Sequence, residues 1–132
     1  MLPRWWRLQL LQPKQQEQSH KIFKIVTYNA TAWQSAKVFL QETQAEVVLL
    51  QESHICAQAA DEVSAAARKL GWKVIQSVAI PGKGICSSGG LMILAQAWLG
   101  LSAPARGGHI LVEGRAVAAI VECAGFFPLA VV

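Results

Sequence analysis

Residues 47–54 read VVLLQESH: an unbroken aliphatic run, then Gln51 and Glu52. Successive side chains of a strand point to opposite faces, so a continuous apolar run belongs to a strand covered on both sides. The stretch upstream, KIVTYNATAW at 24–33, is a second strand, built of β-branched and aromatic residues and running into Asn29. Between them Ser35 is a suitable N-cap for a helix reaching about Thr43, with Val38, Phe39 and Leu40 on its buried side. Strand, helix and strand in this order form a βαβ-like unit. Both strands end on a polar side chain, Asn29 in one case and Glu52 in the other.

Downstream, AQAADEVSAAARKLG (57–71) predicts a helix with Ala60, Val63, Ala67 and Leu70 on one stripe, Arg68 and Lys69 in the last turn and Gly71 as the stop. Strand patterns fall at 24–29, 46–51, 73–80, 91–96, 114–122 and 127–132. PGKGICSSGG (81–90) has loop composition. It lacks the G-x-x-x-x-G-K-[ST] spacing of a phosphate loop and leads into a strand, so Gly89 and Gly90 are read as a tight turn before a central strand. The expected class is α/β (α+β), one mixed sheet with two covering helices.

The 132-residue length fits one domain, at 22–132, preceded by an irregular leader over 1–21 that carries Arg4, Trp5, Trp6 and Arg7. Twelve Lys and Arg against eight Asp and Glu give a net charge of +4, which favours polyanions without identifying one. Cys56, Cys86 and Cys123 are widely spaced, odd in number and in no metal-ligand pattern, so the reading is an intracellular chain without a disulfide framework or zinc site. No stretch has the length of a membrane span, and no signal-peptide pattern opens the chain, so no membrane partner is expected. A hydrophobic content of 53% with only 15% charged residues exceeds what one covered sheet face needs.

The ordered set IVTYNA, VVLLQES, SSGGLMIL and GRAVAAIVE resembles the N-terminal half of the endonuclease/exonuclease/phosphatase superfamily, and QESH is similar to the version found in retroelement endonucleases. The resemblance covers about residues 22–132 and implies the N-terminal part of a four-layer αββα sandwich. It also implies that Asn29 helps position the scissile phosphate, that Glu52 binds the catalytic Mg2+ (Mn2+ being the substitute), and that nucleic acid is the ancestral substrate. Read by residue type alone, Asn29 is equally a turn former and Glu52 a solvated carboxylate just past a strand. His54 has no partner at ligand spacing and reads as a solvent-facing loop residue; Trp33 reads as core, with base stacking as its functional alternative.

The resemblance also marks what is missing. The family's later motifs, a Tyr, an Asp-x-Asn and a Ser-Asp-His, have no counterpart here, so the expectation is a truncated domain, inactive alone for want of a general base. Such a domain would leave the inner face of its sheet bare, open to self-association or to a C-terminal half in trans. The alternatives are a noncatalytic α/β binding module and a fragment of a phosphatase or lipid phosphodiesterase of the same fold.

Overall fold

The apolar run at the centre of the reading is β2 (Val47–Gln51), and it has two neighbours. On one side β1 (Ile25–Asn29) pairs with it in parallel; on the other β6 (Leu91–Gln96) pairs with it antiparallel, and β3 (Trp72–Ser77) completes the sheet against β6. The computed structural model describes residues 23–81, 86–104, 108–123 and 128–132; the leader at 1–21 and the turn expected at Gly125 lie outside them. The class is α+β: a four-stranded mixed sheet with two helices.

Strand alternation explains why β2 and β6 are apolar throughout. Val48, Leu50, Met92 and Leu94 enter one core, while Val47, Ile93 and Ala95 enter another on the opposite face of the same sheet. The first core is closed by α1 (Trp33–Glu42) through Ala36 and Leu40, and by α2 (Ala60–Lys69) through Val63 and Ala67. A 3-10 turn at Ala57–Ala59 leads into α2, and Gly71 at φ +94° ends it in the left-handed conformation expected of a helix stop. Trp72 lies beneath both helices and donates from its indole N–H to the Leu40 carbonyl at 3.4 Å.

Helix α1 departs from the expected bounds. It begins at Trp33, so Ser35 lies inside its first turn, and the N-cap is Ala32, extended and without a side-chain cap. The reversal of the chain after β1, with Thr31 at φ +56°, sets the start in place of a capping hydroxyl. The buried stripe is Ala36 and Leu40, one turn apart, whereas Val38 is 53% exposed. Phe39 stacks on Tyr28 with ring centroids 4.3 Å apart and planes within 3°.

The six expected strands do not form one sheet. Residues 73–80 break after Ser77; there the Ala79 N–H donates to the Ile55 carbonyl at 2.8 Å, and β4 (Ile80–Pro81) pairs with β5 (Cys86–Ser88), inside the segment read as a loop. Residues 114–122 break at Ala118, whose N–H donates to the His109 carbonyl at 2.8 Å. Before the break β9 (Ala116–Val117) pairs with β8 (Ile110–Val112); after it β10 (Ala119–Glu122) lies between β7 (Gly100–Ser102) and β11 (Leu129–Val131) in a three-stranded antiparallel sheet.

That second sheet, together with Val117 of β9, overturns the bare inner face. Val117, Ala119, Val121 and Val131 close over Val47, Ile93 and Ala95, leaving Val47 and Ala95 fully buried and Ile93 2% exposed. The apolar surplus is consumed by two cores where one was expected. Each Val or Ile side chain so buried contributes about 1.5–3 kcal/mol over leaving it in water. Among the described residues the exposed large apolar side chains are Ile25 on β1, Val38 on α1, Trp98 at a turn, Ile110, Leu111 and Val112 together on β8, and Leu129 and Val132 at the last strand.

Leu94→Ala, in a position with no solvent exposure, is expected to lower the unfolding free energy by about 2–5 kcal/mol. Val38→Ala is expected to change it by less than about 0.5 kcal/mol. Urea unfolding of both variants checks this assignment, and comparable losses in the two would refute it.

Candidate functional site

The parallel register of β1 on β2 pairs Asn29 with Gln51, and the Ala30 N–H continues the ladder to the Gln51 carbonyl at 2.9 Å. Asn29 and Glu52 therefore stand at the same edge of the sheet, on adjacent strands, as the crossover unit requires. Val26 and Tyr28 face the helix-side core. The two-residue period places Asn29 on the opposite face, with Ile25 and Thr27, exposed to solvent.

Glu52 interrupts the alternation of β2. Its φ of +52°, followed by +55° at His54, is the left-handed region that residues with a Cβ rarely occupy. Neighbouring backbone holds the chain there: the Ser53 N–H donates to the Gly90 carbonyl and the His54 N–H to the Gly89 carbonyl, each at 3.1 Å. Gly90 is required for this approach. At φ +93° it has no room for a side chain, since a Cβ would lie 2.6 Å from Ser53 Oγ and 3.1 Å from the His54 nitrogen. The Gly90 N–H in turn donates to the Gly114 carbonyl at 3.0 Å, and the Gly114 N–H to Ser77 Oγ at 2.7 Å. The loops after β1 and β2 and those before β6 and β9 thus converge on one edge.

Two further side chains belong to this edge. His54 Nε2 lies 3.5 Å from Glu52 Oε1, with the two side chains 35% and 41% exposed respectively. The sequence reading left His54 as an isolated loop residue; its spacing from Glu52 was the signal, but only the paired left-handed turns bring the ring back to the carboxylate. Arg115, passed over within GRAVAAIVE, donates from Nη2 to Ser88 Oγ at 3.2 Å beside the Gly89–Gly90 turn. His109 is engaged elsewhere, its Nε2 3.1 Å from the Gln76 carbonyl oxygen, and His20 lies outside the described residues.

Among the described residues no three His, Cys, Asp or Glu side chains converge on a point that would hold a metal ion. The edge offers one carboxylate, on Glu52, with the Asn29 amide on the next strand. Cys56 is disulfide-bonded, which corrects the reading of the cysteines. Spacing along the chain could not reveal a bridge because it does not show which loops the sheet brings together. No helix among the described residues is long and apolar enough to cross a membrane.

Beside this edge, on the helix side, a cavity of about 500 Å3 opens between α1 and α2. Thr31 and His54, each two residues beyond a strand-end polar group, lie on its rim; Trp33 and Lys37 of α1 and Glu62 of α2 form its sides. Ser53 also lines it, 2% exposed and with no hydrogen-bond partner for its hydroxyl among the described residues. Comparison of the chain with family models, curated proteins and solved structures yields no match.

Gly90→Ala is expected to destabilise the chain by more than Gly71→Ala. Both positions are left-handed, where a Cβ costs about 1–2 kcal/mol. Only Gly90 adds a clash, for nothing lies within 4 Å of a Cβ at Gly71. Thermal or urea melts of the pair measure the difference; equal losses would mean that the Ser53–Gly90 packing does not hold the edge.

Proposed function

We propose that this chain forms the Asn/Glu wall of a Mg2+-dependent phosphodiesterase domain of the endonuclease/exonuclease/phosphatase type, with the two packed sheets serving as the inner layers of an αββα sandwich. One observation carries the reading: the in-register parallel pairing of Asn29 with Gln51, which puts Asn29 and the residue following the second strand, Glu52, at the same end of the sheet, beside a glycine turn that shapes it. The donor set fits a hard cation. Mg2+ keeps several waters and is commonly held by one or two carboxylates together with substrate phosphate, so a half-exposed Glu52 needs no cage of protein ligands.

When bound, the ion supplies Lewis-acid stabilisation of charge on the phosphoryl group and the leaving oxygen. The chain's own groups hold and orient. Glu52 offers carboxylate oxygens, Asn29 offers an amide N–H to a phosphate oxygen, and Arg115 retains guanidinium donors beyond the one given to Ser88. Activation of water is a different matter. The sequence holds a single aspartate, Asp61, in the first turn of α2, and no Asp–His pair faces Asn29 and Glu52 among the described residues. These 132 residues accordingly bind and position a phosphodiester without hydrolysing it, since such groups act as a unit.

Paramagnetic Mn2+ used as a stand-in for Mg2+ is expected to broaden amide NMR signals of residues 29–31 and 52–54 selectively. Glu52→Gln is expected to abolish the effect. Broadening centred elsewhere, or unchanged in the variant, would remove Glu52 as the ligand. Incubation of the purified chain with Mg2+ and supercoiled or abasic DNA is expected to give no nicking, and nicking that disappears in Glu52→Gln would show that the chain carries its own base.

A further inference from the structure

We infer that the cavity between α1 and α2 is a nucleobase site, seating the base of a nucleotide whose phosphate lies at the Asn29–Glu52 edge; the inference rests on the nucleic-acid reading of that edge. Position is the first support. The rim residues Thr31 and His54 lie two residues beyond Asn29 and Glu52, so the cavity opens beside the end of the sheet where both polar groups stand.

Shape and lining are the second. At about 500 Å3 the cavity falls within the range of small-molecule sites. Trp33 and Lys37 are one turn apart on α1 and so share a face, with the Trp33 indole half-buried against the helix-side core. An indole held in this way offers a rigid platform on which any base can stack, and a neighbouring Lys offers charge to the backbone. The opposite side is α2, where Val63 provides apolar floor and Glu62 a hydrogen-bond acceptor for a base N–H. Small side chains at Ala59 and Ala66 keep the space open. The third support is the buried Ser53 hydroxyl in the wall, without a partner among the described residues, at a cost that a polar occupant would relieve.

The test compares a fluorescent single-stranded oligodeoxythymidylate with a base-free analogue of the same length and charge, at one salt concentration and with Mg2+ present. Binding to the wild type is set beside binding to Trp33→Leu and Ala66→Phe, which alter opposite sides of the cavity, and circular dichroism melts confirm that each is folded. The wild type is expected to prefer the base-bearing strand by about tenfold or more, the scale of one base stacked on an aromatic ring. In the variants the preference is expected to shrink to within about twofold while affinity for the base-free strand is kept. Equal binding of both strands by the wild type overturns the base site and leaves the phosphate-binding edge standing. A preference that persists in a folded variant also overturns it, since the bases are then read elsewhere. Binding of neither strand defeats the nucleic-acid reading itself, and the base site with it.

Discussion

The hydrogen-bonded register between β1 and β2 is the constraint on which the rest of the structure depends. Parallel pairing of Ile25 with Val47 through Asn29 with Gln51 sets the two strand ends level. It obliges the chain to cross over through α1 and thereby places that helix on one face of the sheet. A slip of one residue would turn Asn29 to the helix side and reverse every side chain of β1, bringing Ile25 under the helices and Val26 out from them. The position of Asn29 and the composition of the helix-side core are thus two consequences of one pairing.

The second organising fact is that β2 and β6 feed two cores at once. Because Val47 and Val48, or Ile93 and Leu94, point in opposite directions, the chain needs both a helical layer and a second sheet to keep its central strands dry. The sheet β11–β10–β7 meets the second need from within these residues. The inner face of the central sheet is thereby covered, while Ile110, Leu111 and Val112 of β8 stay exposed.

Backbone strain concentrates where the chemistry is proposed. Thr31, Glu52 and His54 are the non-glycine residues with positive φ among those described, and all three lie at the ends of the paired strands. Such conformations persist when surrounding structure holds them, here the bonds from Ser53 and His54 to the Gly89–Gly90 turn. The strain brings Glu52 and His54 together and exposes them, whereas a continued strand would have sent Glu52 into alternation with Gln51.

Local pattern determined a good deal. The apolar run at 47–50, the strand before Asn29, the stripe of α2 with its Gly71 stop and the glycine turn before β6 were legible because each is set by side-chain period or backbone freedom within a few residues. That Asn29 and Glu52 end up at the same end of the sheet followed from the crossover motif alone. What sequence could not decide was partnership. Residues 73–80 and 114–122 carry unbroken strand patterns, yet bonds from Ala79 to Ile55 and from Ala118 to His109 break them and send their halves to different sheets. The same β propensity serves either sheet equally, so the choice falls to long-range pairing and burial. His54, Arg115 and the cavity beside them were hidden for the same reason. Each depends on loops that are distant along the chain and adjacent only after the two cores have closed, because the packing of those cores, and no local preference, fixes where the loops meet.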